Sequence, residues 1–219
     1  MLTQYIKREF LVYIRKPCQI LNPILFFLLI ISLFPMGGAV ELQALQKLAP
    51  GLIWISVLLA SMVSIDRIFY YDYQQGVLEQ YWISPVPLEY MIYAKFIIHW
   101  LMMLVPLLAA LPFVALMYDF SLMSTMVLAG ALLVGTPIIA MIIMCLATLV
   151  LAAGNQNALF ALIFMPLMTP VLIFGSSSVL MQQQGLDSTP ILLLLLGVAL
   201  LLLVLGPMLI KKGLALALE

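Results

Sequence analysis

Long apolar runs alternate along the chain with short polar breaks, and a helix that crosses a bilayer needs on the order of 20 apolar residues. That ruler predicts six spans, at about 23–40, 50–65, 90–118, 122–152, 158–174 and 190–210. Asn22-Pro23 opens the first, Glu41 to Lys47 form a polar connection after it, and Asp66-Arg67 ends the second. The sixth is almost pure leucine and stops at Lys211-Lys212. Pro106, Pro112 and Pro137 interrupt the third and fourth spans, where each removes a backbone donor. Each of these, like Pro166 and Pro170 further along, acts either as a hinge for alternating access or as a static kink. Gly154, Asn155, Gln156 and Asn157 read as a tight turn. Beyond Pro166 and Pro170, the stretch through Ser176, Ser177 and Ser178 to Ser188 is too interrupted for a full crossing. A short re-entrant hairpin before the last helix is expected there, because broken backbone at membrane depth must be shielded from lipid.

Residues 1–16 precede the spans. Leu2, Tyr5, Ile6, Phe10 and Tyr13 fall on one helical face, with Arg8 and Arg15 on another. A basic amphipathic helix of this kind lies in the headgroup plane; the alternative is a bare topology signal. Gly37, Gly38 and Ala39 form a weak signal-cleavage site. The 22 residues ahead of the apolar run exceed an ordinary leader's charged region, which favours a retained span.

Composition agrees: 66% of residues are hydrophobic and 8% charged, with a mean hydropathy of +1.23. A soluble domain carries about half apolar residues, so the solvent implied is lipid and the fold class is an all-α integral membrane bundle in a single domain, 1–219. The formal net charge is +0, which gives no global field for nucleic acid. The distribution of charge is informative instead. With six crossings, Lys7, Arg8, Arg15, Lys16, Arg67, Lys95, Lys211 and Lys212 share one side and only Lys47 lies on the other. Basic residues stay cytoplasmic during insertion, so both the N- and C-terminal segments are expected in the cytoplasm. Cys18 and Cys145 lie on segments with no reason to meet, and no disulfide framework is implied.

The loop at 66–89 carries the densest chemistry. It holds four acidic residues, Asp66, Asp72, Glu79 and Glu89. Phe69, Tyr73, Val77 and Tyr81 recur every four residues and predict an apolar face; Asp72, Gln75, Glu79 and Gln80 make the other. Such a helix lies on the membrane and docks a partner. Gly76 marks the junction of two short helices, where positive φ is cheap.

The order acidic-Arg, acidic, Gly-x-Leu-Glu-Gln, Pro and then Lys95 resembles the first cytoplasmic loop of type II ABC export permeases. Within that group the chain is most similar to the CcmB family, the haem-exporter B subunits of cytochrome c maturation. The likeness rests on Glu9 and Arg15, Asn22-Pro23 with Phe26-Phe27, Phe34-Pro35, Ala49-Pro50-Gly51 with Trp54, Leu78-Glu79-Gln80, Lys95 with His99-Trp100, Gly135-Thr136-Pro137 and Leu172-Ile173-Phe174. The loop at Gly154 to Asn157 departs from the pattern, lacking a basic residue to anchor a second cytoplasmic contact. The resemblance implies a six-span permease of the bacterial inner membrane whose 66–89 loop carries a coupling helix fitted to an ATP-binding subunit. Arg67, Asp72, Gly76, Glu79 and Gln80 would be the contacts. It further implies partnership with a second copy, with two ABC ATP-binding subunits and with haem-handling membrane subunits, all embedded in membrane lipid.

No Gly-x-x-x-x-Gly-Lys-Ser/Thr phosphate loop occurs in the sequence. ATP is therefore expected on another polypeptide, and the chain by itself is expected to be neither an enzyme nor the holder of a resident cofactor; haem would be its substrate. His99 is the sole histidine and a candidate haem contact, since haem iron accepts imidazole. The competing reading is an interfacial anchor or packed hydrogen-bonding residue beside Trp100. The 15 methionines are scattered and read as flexible packing. Asp119 and Asp187 read as solvated loop charges, and no carboxylate pair suggests a proton relay. Two other functions remain in view. A scaffold for maturation enzymes would use the same docking helix without moving anything; a membrane-embedded enzyme would need paired catalytic groups that the spans lack.

Overall fold

The computed structural model describes residues 2–15, 17–36, 42–62, 68–153 and 157–218. Among these the elements are all helices: α1 (Leu2–Ile14), α2 (Pro17–Met36), α3 (Leu42–Met62), α4 (Tyr70–Gln74), α5 (Val77–Ile83), α6 (Leu88–Met117), α7 (Leu122–Ala152), α8 (Asn157–Gln183) and α9 (Thr189–Leu218). Five of them, α3, α6, α7, α8 and α9, are long and apolar enough to cross a membrane, and α2 adds a shorter apolar stretch, Leu21–Met36. The last part of the predicted first span, 37–40, lies outside the described residues, as do Arg67 and the turn at 154–156.

α7 is the central helix. It packs against α6, α8 and α9, and residues from Ile138 to Met144 are buried in an unbroken run. A helix that is apolar on every side and buried over most of its length belongs in the middle of a bundle. Ser121 caps it, its hydroxyl accepting the Ser124 N–H at 3.1 Å. The outer helices leave leucines such as Leu193, Leu200, Leu201 and Leu205 of α9 exposed, the surface that lipid would wet. Glycines allow the closest approaches. The buried Trp54 of α3 lies against the Cα atoms of Gly135 on α7 and Gly175 on α8, while Met141 and Thr148 of α7 lie against Gly206 and Gly213 of α9.

Several boundaries differ from the sequence expectation. α8 runs unbroken from Asn157 to Gln183, so no re-entrant hairpin interrupts 174–188. Its serines are absorbed by the helix: Ser176 Oγ donates to the Leu172 carbonyl at 2.7 Å and Ser178 Oγ to that of Gly175 at 2.8 Å. Hydroxyls bonded back to the preceding turn present little polarity to an apolar neighbour. α9 likewise continues past Lys211-Lys212 to Leu218, with Leu214 buried. Residues 42–47 of the expected polar connection form the opening turns of α3. Pro106, Pro112, Pro137, Pro166 and Pro170 all lie inside continuous helices.

One end of the bundle gathers α1, α4, α5, the start of α6 and the last turns of α9, joined there by the Lys211–Glu89 ion pair at 2.8 Å. The opposite end gathers the α6–α7 turn and the ends of α3 and α8. There Gln46 Nε2 donates to the Asp119 carbonyl at 3.2 Å, and Gln183 Nε2 donates to the Gln46 carbonyl at 3.5 Å. Asp187 accepts the Thr189 N–H and hydroxyl at the head of α9, and these bonds hold its carboxyl below the usual range.

Candidate functional site: the α4–α5 element and its ion-pair ring

The α4–α5 element is two short helices hinged at Gly76, whose φ of 65° is left-handed. At that sign of φ a Cβ is strained, which explains why the periodicity cannot run straight through. The predicted faces are accordingly redistributed. Phe69, Asp72 and Leu78 are buried, whereas Tyr73, Gln74, Gln75, Glu79, Gln80 and Trp82 are exposed and Ile83 reaches 84%. Asp72, assigned by periodicity to the outer face, points inward because two cations await it there.

Those cations come from different parts of the chain. Arg8 of α1 contacts Glu9 Oε1 at 2.7 Å and Asp72 Oδ1 at 3.3 Å. Lys95 of α6 contacts Glu9 Oε2 at 3.0 Å and Asp72 Oδ2 at 2.5 Å. The four side chains thus close a ring in which charges alternate, Arg8, Glu9, Lys95, Asp72 and back to Arg8. Glu9 is 3% exposed, Lys95 6% and Asp72 8%. Removing such groups from water costs several kcal/mol per ion, offset only where each charge is paired and hydrogen-bonded; here every charge has opposite neighbours, with Asp72 Oδ2 held by Lys95 as an ion pair and not by a hydrogen bond. Tyr81 of α5 caps it, accepting from Arg8 at 2.9 Å and lying 5.6 Å beneath the guanidinium. Phe69 gives Lys95 a similar aromatic floor at 5.8 Å. Burial opposes the charge on Arg8, yet Asp72, Tyr81 and Glu9 together raise its pKa above the ordinary arginine value. Burial raises the Tyr81 phenol, with Arg8 opposing.

α1 is seated on α5 and α6 by a stripe of every fourth residue. Tyr5 packs on Tyr81 with ring centroids 5.7 Å apart, Glu9 enters the ring, and the Tyr13 hydroxyl is 2.9 Å from His99 Nδ1. The buried stripe of α1 is therefore polar and aromatic, and Phe10, expected beside Tyr5 and Tyr13, is exposed together with Leu11, Val12 and Ile14. His99 is 4% exposed. On its Nδ1 side it is a packed, hydrogen-bonded residue; its Nε2 has no partner among the described residues, and the residue lines a small pocket of about 40 Å³ with Met102 and Met103. Trp100 turns away and donates to Thr136 Oγ1 of α7 at 3.0 Å.

Of the expected contact residues, Gly76 is the hinge, Glu79 and Gln80 face outward, Asp72 faces the ring, and Arg67 lies outside the described residues. Periodicity overlooked Arg8, Glu9 and Lys95 as parts of one site. The signal was present in charge placement: Glu9 is the lone acid in the first 40 residues, and Lys95 the lone charge between Glu89 and Asp119.

Comparison with known proteins places this arrangement. The family described as CcmB protein matches residues 1–217. Heme exporter protein B of Pseudomonas aeruginosa is 38% identical over 207 residues, covering 94% of this chain and 93% of that one. The protein of the same name in Haemophilus influenzae is 37% identical, covering 80% and 79%, and that of Bradyrhizobium diazoefficiens 34%, covering 80% and 78%. A match across nearly the full length, on an all-helical bundle with several apolar helices, leads to one conclusion: the chain is a multi-pass membrane protein that belongs to the CcmB family.

Proposed function

We propose that the chain is the membrane subunit of an ATP-driven exporter acting in cytochrome c biogenesis, which couples hydrolysis on a separate ABC subunit to export of haem or to release of a haem-loaded chaperone. Its relatives carry the name heme exporter protein B. The observation that carries the mechanism is the α4–α5 surface. Glu79, Gln80, Trp82 and Ile83 project from the bundle at one end, while Asp72 on the same element is ion-paired to α1 and α6. An outward face of amide, carboxylate and aromatic groups suits a protein partner, and an inward face fixed by buried charge transmits displacement instead of absorbing it.

In this reading the element is the coupling helix. Arg67, Gly76, Glu79 and Gln80 meet or shape the motor contact and Asp72 anchors it from within. The end carrying α1, α4, α5 and the tail of α9 faces the cytoplasm of a bacterial inner membrane, because Lys7, Arg8, Arg15, Lys95, Lys211 and Lys212 gather there and Lys47 stands alone opposite. A second copy and haem-handling membrane subunits complete the assembly, and lipid covers the exposed leucines. The haem route runs through this subunit or alongside it. His99, tied to Tyr13, serves chiefly to seat α1.

The test is Glu79→Ala in the complex reconstituted in lipid. Substrate-coupled ATP hydrolysis should be lost while insertion and bundle stability stay at the parent level. Unchanged coupling would remove the motor assignment and leave the scaffold reading.

A further inference from the structure

We propose that the ring of Arg8, Glu9, Lys95 and Asp72 is the relay that carries displacement of α4–α5 into α6, with α1 as a working part of the transmission rather than only an insertion signal. This rests on the coupling-helix reading above and adds to it the route by which motion leaves that helix.

The geometry supports the route in three ways. First, each of the three segments reaches the ring through short ionic contacts: α1 through Arg8 and Glu9, α4 through Asp72, α6 through Lys95. No member bonds only within its own helix. Second, the ring is neutral and three of its four members, Glu9, Lys95 and Asp72, are buried, so pulling any one of these out strands its neighbours' charge in a poor solvent; the three helices are held to move together. Third, further attachments tie the same region together, two of them between aromatic side chains and one to the backbone just before α4. Tyr5 stacks against Tyr81, Tyr13 meets His99, and Lys95 Nζ donates to the Ile68 carbonyl at 3.4 Å. Glu9 and Lys95 thus act as positioning residues: neither faces the motor surface, and both act through Asp72.

Alternation makes a distinctive prediction. If Glu9–Lys95 were an isolated pair, exchanging the two charges would preserve it. In the ring, Glu9→Lys with Lys95→Glu sets an ammonium beside Arg8 and a carboxylate beside Asp72, so the exchange should not rescue. Removing the pair together, Glu9→Gln with Lys95→Met, keeps the site neutral through Arg8–Asp72 and avoids a stranded charge.

The experiment uses the whole complex in nanodiscs with the neutral double variant. Expected is retention of the ATP-binding subunit and of basal hydrolysis, with substrate export per ATP hydrolysed reduced tenfold or more. Parent-level export per ATP would overturn the relay. Should the double variant fail to accumulate, spin labels at exposed Thr3 and Gln74 in the otherwise unaltered complex decide the matter. A single separation in nucleotide-free and ATP-bound states supports the relay, and a separation that changes with nucleotide refutes it. The two readings fail separately: loss of coupling in Glu79→Ala but not in the double variant removes the relay alone, and normal coupling in both removes the motor assignment with it.

Discussion

The indole of Trp54 shows how single positions set the tolerances of this bundle. It is fully buried between α3, α7 and α8, and a Cβ at either Gly135 or Gly175 would overlap its ring atoms. A rigid aromatic held on two sides has nowhere to move, and overpacking a full core costs about 1–3 kcal/mol. Gly175→Ala is therefore expected to lower the unfolding temperature in detergent, with Gly135→Ala doing the same. The more forgiving Gly197, with nothing near its Cα, should accept alanine at no loss. Thermal unfolding followed by exposure of Cys145, a free thiol in the described structure, would read all three. The ring of charges is strict for a different reason. There the penalty comes from solvation, and a lone survivor of a buried pair costs about 3–5 kcal/mol.

At the scale of elements, the two short helices after α3 depend on their hinge. Gly76 at φ 65° allows α5 to turn so that Leu78 and Tyr81 pack inward while Glu79 and Gln80 face out. An alanine there carries about 1–2 kcal/mol of left-handed strain, a local cost too small to unfold the bundle but enough to re-aim α5. Gly76→Ala should thus leave membrane insertion and yield unchanged and reduce coupled ATP hydrolysis severalfold. α8 offers a cleaner check on architecture. Since Ser176 and Ser178 bond back into their own helix, cysteines placed singly along 171–181 should react with a maleimide at a helical period of about 3.6. A block of uniformly reactive positions would indicate a broken segment instead.

For the molecule as a whole, the decisive arrangement is that the clustered basic residues meet at one end. Impermeant thiol reagents should label cysteines at Thr3 and Gln80 only from the cytoplasmic side, and one at Leu186, beyond the far end of α8, only from outside. Labelling of Thr3 and Leu186 from the same side would invert or break the topology. That end also collects the ion pairs between distant parts of the chain among the described residues. Residues 8 and 72, 9 and 95, and 89 and 211 are joined there by ion pairs, so the α4–α5 element rests on helices from the start and middle of the sequence, and α6 is tied in turn to α9 at its close.

Much of this was decided by the order of residues alone. Apolar runs set where helices cross, because in lipid a segment's length and hydrophobicity determine its placement without reference to its neighbours, and the α7 limits at 122 and 152 follow directly. Gly76 as a helix junction was legible too, since positive φ is a property of one residue. The absorption of Ser176 to Ser178 into α8, the continuation of α9 past Lys211 and the inward turn of Asp72 were not legible. A serine's polarity vanishes only when its hydroxyl finds a carbonyl, Lys211 remains helical beside Glu89, and Asp72 faces inward because Arg8 and Lys95 converge on it from α1 and α6. Periodicity weighs each side chain by its own solvation, whereas pairing between distant charges exists only once the chain has folded.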